Sequence, residues 1–323
     1  MKLILFFLSA GILFACKSPS SESPEIQDKY WIAYNTWEPD SSAEDNWEIR
    51  ILDPEDSVPR SKNLINHPDV AWTYLAHESK IYFISDRDTA YRHFFLYEMN
   101  PDGSGVKKLS DLRLEDSWMD IDPKRNEMIV SARPSQDIRY QLFLINLENG
   151  TFSPLVNDTV YRFSDPVFSP DGDQIAFVKS PKTKVEGIFP EVYLMNRDGS
   201  DEKQLTQFPA QDPAASKYGY KAGALRWHPT ENFISYASSR GDMTFIFGVS
   251  PDGTQNWQIS QSGKREVYHD WSPDGKWLVF EQYQDTVSKQ YHIVLMNWEN
   301  KDMKILTENK VKTQLGPVFV KKR

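Results

Sequence analysis

The chain repeats itself, and the repeat decides its architecture. An aromatic-Ser-Pro-Asp-Gly stretch occurs as FSPDGDQIAF from Phe168 and as WSPDGKWLVF from Trp271. Four looser copies fall into register when the apolar triplet that follows is used as a ruler. The triplets begin at Ile32, Ile81, Met128, Ile175, Ile234 and Leu278. Five of them lie five residues after a turn-marker position, at Ala76, Pro123, Pro170, Pro229 and Pro273, and for Ile32 that position is Gln27. The next apolar run of each unit ends at Asp53, Asn100, Asn146, Asn196, Ser250 or Asn297, and a short final run carries Leu64, Leu109, Leu155, Leu205, Ile259 or Leu306. Six units of four short β-like runs, separated by turn residues, is the pattern of propeller blades.

Spacing locates the one irregularity. From the end of the second apolar run to the next turn marker the step is 23 or 24 residues, except between Asn196 and Pro229, where it is 33. The insertion is Gln207 to Ala224, after the last strand of the fourth unit. The final step points to position 321, where GPVFVKKR copies DPVFSPDG from Asp165. The chain therefore ends with the first strand of a unit whose other three strands lie at its beginning. The expected fold is all-β, a six-bladed propeller of four-stranded blades, closed by the C-terminal strand beside the strand of Ile32. Closure of this kind removes open sheet edges.

Composition agrees with strands, since Val, Ile, Tyr, Phe and Trp recur in short runs without long helical patterns. A net charge of -9 argues against a nucleic-acid partner, which would call for clustered Lys and Arg. The N-terminus, MKLILFFLSAGILFAC, has Lys2, an apolar run from Leu3 to Phe14 and a small residue before Cys16. That run is too short for a stable membrane span and reads as a signal-peptide core. Leu13-Phe14-Ala15-Cys16 resembles a bacterial lipoprotein cleavage box, which implies lipidation of Cys16. An ordinary signal peptide with an incidental cysteine is the bland alternative. Cys16 is the only cysteine, so no intramolecular disulfide forms. Lys17 directly after it is not the aspartate that holds many such lipoproteins at the inner membrane, which favours the outer one. The expected organisation is a leader over 1–16, a Ser/Pro-rich tether over 17–29 and a single propeller over 30–323.

Within SPDG the residue order matches a type I turn, with Pro fixing φ at the second position and Gly accepting a left-handed conformation at the fourth. Asp171 and Asp274 are then turn formers, the alternative being an acidic metal site. The residue two before the marker is Tyr74, Ile121, Phe168, Trp227, Trp271 or Phe319, and it is expected to fill the gap between neighbouring blades. These motifs resemble the TolB-type propeller repeat, whose units read aromatic-Ser-Pro-Asp-Gly, an apolar strand, then apolar-Asn-x-Asp-Gly with Leu-Thr. The resemblance runs from about Tyr30 to Arg323. It implies the propeller fold but no particular activity, because propellers serve many unrelated roles.

No G-x-S-x-G elbow and no H-E-x-x-H motif occurs, and no cofactor or metal is expected. Distant side chains can still converge on the central channel, where the candidates are Asp120, Arg226, His269 and Asp270. Arg226 and Asp270 hold equivalent positions in adjacent blades, which suits a structural ion pair. The insertion carries Lys217, Tyr218, Tyr220 and Lys221 and should overhang one channel mouth, so these four are the candidate binding residues; a solvated variable loop is the alternative. Asn35 to Trp47 and Ser180 to Pro190 should lie on the same face. The expected partner is an envelope protein, or a glycan such as a peptidoglycan fragment, bound by a monomer that meets the membrane through its lipid alone. The competing expectation is a carbohydrate lyase or hydrolase with a channel metal.

Overall fold

The structure is a computed structural model that describes residues 29–37, 46–56, 60–208, 220–240, 243–260, 262–283, 290–307 and 313–322. Six four-stranded antiparallel sheets account for these residues, with no helix among them. The first blade consists of β24 (Gln314–Lys321), β1 (Tyr30–Trp37), β2 (Trp47–Leu52) and β3 (Lys62–Asn63). The second is β4 (Ala71–His77), β5 (Lys80–Ser85), β6 (Phe95–Met99) and β7 (Lys107–Lys108). The third is β8 (Asp120–Ile121), β9 (Glu127–Ala132), β10 (Gln141–Asn146) and β11 (Phe152–Pro154). The fourth is β12 (Tyr161–Phe168), β13 (Gln174–Pro181), β14 (Glu191–Asn196) and β15 (Lys203–Gln204). β16 (Ala222–Trp227), β17 (Ile234–Arg240), β18 (Met243–Val249) and β19 (Asn256–Gln258) form the fifth. β20 (Glu266–Trp271), β21 (Trp277–Tyr283), β22 (Tyr291–Asn297) and β23 (Met303–Ile305) form the sixth.

Each strand type carries the composition its place demands. The second strand of a blade is covered on both faces by neighbouring sheets, so β5 and β9 bury five consecutive side chains instead of alternating. The outermost strands are two or three residues long and largely exposed, which leaves little free edge for pairing with another chain. Phe168 packs with Ile129 and Leu142 of the preceding blade, Trp271 with Phe233 and Ile246, and Phe319 with Val279 and Ile293. Burying each such side chain contributes on the order of 1.5–3 kcal/mol.

The turns follow from their sequence. Gly172 and Gly275 have φ of 71° and 70°, and their N–H groups donate to Ser169 O and Ser272 O at 2.7 and 2.8 Å. Asp171 Oδ1 accepts from the Asp173 N–H, and Asp274 Oδ1 from the Ser272 hydroxyl and the Lys276 N–H. Closure is by β24, which pairs with β1 in the register Tyr30↔Lys321, Trp31↔Val320, Ile32↔Phe319 and Ala33↔Val318. Lys322 adds a backbone bond to Lys29 O and an ion pair with Asp53 at 2.6 Å. The two ends of the propeller are thus tied into one blade.

Candidate functional site

The innermost strands surround the channel, and five of the six blades break register along theirs. The irregularities fall between Thr73 and Leu75, Ser164 and Val167, Gly223 and Arg226, and Glu266 and His269, and opposite Ala33 and Asn35 on β24. Bulges re-aim side chains and interrupt the ladder locally. Asp165, Ala224 and Gly316 take equivalent positions with φ of 52°, 53° and 56°. For Asp165 and Ala224 that conformation carries a strain of the kind concentrated at functional positions. The result is a cavity of about 680 Å³, reached from the starts of the innermost strands and the ends of the second strands. Trp118, Asp165, Ala224 and Tyr268 all line it. Ser180 and Pro190 of the Ser180 to Pro190 loop are also in its wall. A smaller pocket of about 220 Å³ shares Asp116, Tyr268 and Leu315 with it and is walled by Trp47 and Trp72.

All four sequence-derived channel candidates form hydrogen-bonded links between adjacent blades, and none of them lines the cavity. Arg226 Nε donates to Asp270 Oδ1 at 2.9 Å, joining β16 to β20, and its Nη2 donates to Tyr74 O at 2.7 Å. The guanidinium also lies 4.1 Å from the Trp118 ring centroid. Asp270 Oδ2 accepts the Phe319 N–H at 2.9 Å, and Asp120 Oδ2 accepts the Phe168 N–H at the same distance. The two aspartates thus do the same thing one blade apart from their neighbours, pinning the inter-blade aromatic of the next innermost strand. Burial raises the pKa of Asp120 to about 6, against the opposing pull of the Phe168 N–H and Arg226, and burial raises Asp270 as well.

His269 is placed differently. Successive strand side chains point opposite ways, so Tyr268 takes the cavity and His269 enters the blade interface. There it is fully buried, with Nε2 2.8 Å from Ser235 Oγ on β17. Burial, with Arg226 adding to it, pushes its pKa down to about 3, so the ring is neutral at physiological pH.

At the mouth the charges are arranged otherwise. Asp165 Oδ1 accepts the Ser117 hydroxyl and the Trp118 N–H, and Oδ2 accepts the Ala224 N–H at 2.9 Å, linking three blades. Asp116 accepts the Tyr74 hydroxyl. Glu281 accepts the Gly316 N–H at 2.9 Å, and burial raises its pKa to about 8. Arg162, Lys221 and Arg265 complete the lining. The sequence reading missed Arg162, Arg265, Asp165 and Glu281. A signal for part of the site was present: five residues before the turn marker stand Ala71, Trp118, Asp165, Ala224, Tyr268 and Gly316, and four of these six line the cavity.

The insertion is anchored at both feet. Phe208 and Tyr220 pack against each other at 5.8 Å and both meet Phe189, while the Arg240 guanidinium lies 4.4 Å from the Phe208 ring. Tyr220 is only 7 % exposed, so it belongs to the blade core and not to the surface of the loop. Lys221 is exposed and faces the cavity. Lys217 and Tyr218 lie outside the described residues, as does Cys16.

Among the described residues no group of three or more His, Cys, Asp or Glu side chains is placed to hold a metal ion. His228 stacks on Phe233 and His292 Nδ1 is 2.9 Å from Thr307 O, so the histidines are dispersed. Comparison with known proteins adds the ancestry of the ring. The TolB beta propeller domain family matches residues 136–318. The chain belongs to that family. TolB from Acinetobacter baumannii superposes with a TM-score of 0.67 at 14 % identity over 90 % of this chain, which spans 66 % of the A. baumannii protein. A chain of a nidogen/laminin complex gives 0.60 at 11 % identity, over 90 % of this chain and 98 % of that one. An oligogalacturonate lyase in complex with manganese gives 0.54 at 13 % identity, over 82 % and 71 %. No curated protein sequence matches. At these identities the solved structures share a fold with this TolB-type propeller, and no residue role is carried over from them.

Proposed function

We propose that the chain is a non-enzymatic lipoprotein of the bacterial envelope whose propeller holds a protein partner on its loop-rich face. In this reading residues 1–16 are a signal peptide ending at a lipidated Cys16, 17–29 are a tether, and the propeller of residues 30–323 stands as a monomer at the outer membrane. The carrying observation is the channel mouth. It combines the half-buried rings of Tyr140, Tyr268 and Tyr291 with charged and hydroxyl side chains, with Tyr74 and Trp118 buried in its wall, on the face where the Gln207–Ala224 insertion enters and leaves. Aromatic surface with a polar rim is the composition of a recognition site. The nidogen/laminin neighbour supports the reading only to the extent that this architecture occurs in a protein complex.

A carbohydrate lyase or hydrolase is the competing reading. It would need side chains converging on a reacting atom or a metal, and the channel carboxylates and His269 are instead engaged with the backbone or neighbouring blades. Replacing residues 209–219 by a short linker leaves Phe208 and Tyr220 in place, so the propeller should fold. In-cell cross-linking of this variant should lose the partner adducts that the full chain forms. Retained adducts would count against the loop, and stoichiometric metal with turnover of an oligosaccharide would favour the enzyme.

A further inference from the structure

The third blade begins unlike the other five. Its innermost strand, β8, has two residues, where those of the other blades have six to eight. The chain ahead of it lies instead along the end of β9. It is held there by the bridge Leu114↔Ala132, the Arg133 N–H on Arg113 O at 2.9 Å and the Glu115 N–H on Ser131 O at 3.0 Å. This pairing sets Arg113 directly opposite Arg133, and opposite residues of an antiparallel pair share a face. Glu115, two residues after Arg113, belongs to the same face. Arg139 joins them from the hairpin between β9 and β10.

Three guanidinium groups thus meet one carboxylate. Arg133 Nε donates to Glu115 Oε1 at 2.8 Å, and Arg139 grips both oxygens, Nε on Oε1 at 2.7 Å and Nη2 on Oε2 at 2.6 Å. The Glu115 side chain is 5 % exposed and that of Arg139 42 %, so the carboxylate lies beneath a guanidinium that faces solvent. Arg113 has no carboxylate at ion-pair distance among the described residues, and its Nε is buried without a hydrogen-bond partner. Nearby charge does not cancel the cluster. Asp116 turns away to the Tyr74 hydroxyl of the second blade and lines the channel cavities. Asp137, in the hairpin, is matched by Lys182, whose Nζ donates to Asp137 O at 2.9 Å. The three arginines and Lys182, set against Glu115 and Asp137, leave an excess of two positive charges. Like charges directly opposite one another destabilise a strand pair, and a buried N–H without an acceptor adds a further cost. Local costs of this kind concentrate at functional positions.

We infer that Arg113, Arg133 and Arg139 form a binding site for a phosphoryl group, either free phosphate or the phosphomonoester headgroup of a lipid. A phosphomonoester brings close to two negative charges and several terminal oxygens, which matches the local excess and lets separate guanidinium groups share one ligand. A carboxylate engages a single guanidinium fork, and Glu115 already does so with Arg139. Glu115 takes one N–H of Arg133 and two of Arg139, so both keep donors for a ligand while their side chains are held in place. Arg113, without an internal ion pair, supplies the contact that only the ligand completes. The site goes beyond the protein-binding reading and does not rest on it.

The test is isothermal titration calorimetry of the intact chain in neutral detergent. The probes are inorganic phosphate, dihexanoyl phosphatidic acid below its micellar concentration, and acetate, all at matched ionic strength. Binding of both phosphoryl probes is expected if the phosphoryl group alone suffices, and of the phosphatidic acid alone if the site takes a lipid headgroup; acetate should bind far more weakly. Arg113→Gln should weaken phosphoryl binding by about tenfold or more. Lys107→Gln, the same loss of charge on the exposed strand β7, should leave it unchanged. An unaltered melting temperature shows that Arg113→Gln is folded. If it is not, Arg113→Lys keeps the charge without the planar fork and should still weaken binding severalfold. Binding of neither phosphoryl probe, acetate binding as tightly, or equal weakening by the Arg113 and Lys107 variants would overturn the inference.

Discussion

Two layers of one channel use charge in opposite ways. In the narrower layer, Arg226, Asp270 and Asp120 are joined to each other or to the backbone of the next blade. At the mouth, Arg162, Lys221 and Arg265 have no carboxylate at ion-pair distance among the described residues. A burial cost offset by internal partners makes the first layer a fastening of the ring. At the mouth the cations form no such ion pair and share the lining with Asp116, Asp165 and Glu281. In a propeller the position of a charged residue along the innermost strand therefore matters as much as its identity.

The contrast can be broken most forcefully at Asp270. Asp270→Ala leaves the Arg226 guanidinium without its carboxylate and the Phe319 N–H without an acceptor, so denaturant unfolding should show a loss of about 3–5 kcal/mol. A smaller loss is expected from Gly316→Ala. Its φ of 56° is costly for a residue with a Cβ, and that Cβ would approach Asn35 Nδ2 to 2.9 Å, where Asn35 is already bonded to Thr73, Leu315 and Gly316 carbonyls. The expected cost is about 1–3 kcal/mol.

Glu281 sharpens the comparison through pH. Its pKa is raised from 4.5 to about 8, chiefly by burial. Between those values the folded protein retains a proton that the unfolded chain has released, so this group's stabilisation is complete below the lower value and is lost as pH rises through the upper one. Glu281→Gln should flatten that decline and leave the variant a few degrees more stable than the parent in thermal scans near pH 8. Identical slopes in the two proteins would show that the carboxyl is not protonated there. The smallest effect on stability belongs to Lys221→Glu, an exposed residue of the mouth, within about 0.5 kcal/mol of the parent.

The ring was legible in the sequence because its determinants are local. Pro170, Asp171 and Gly172 specify a turn by themselves, and the copy of Asp165–Gly172 at the C-terminus predicts the β24–β1 pairing. The site was only partly legible because it is built from residues more than a hundred positions apart. Trp118, Asp165, Ala224 and Tyr268 share a place in the repeat but no chemistry, so no motif marks them. Tyr220 illustrates the limit differently: its place in the insertion suggests exposure, while its burial depends on Phe189 and Phe208 from the neighbouring chain segments. The positions of Lys217 and Tyr218 are outside the described residues.

The central claim is that the mouth, and not the opposite face, meets the partner. Thr254, in a turn between β18 and β19, lies at the far end of the strands from Lys221. A photo-cross-linking residue placed at each position in turn, in living cells, compares the two faces directly. A discrete protein adduct from position 221, with none from position 254, is the predicted result. Equal adducts from both positions, or an adduct from 254 alone, would contradict the account.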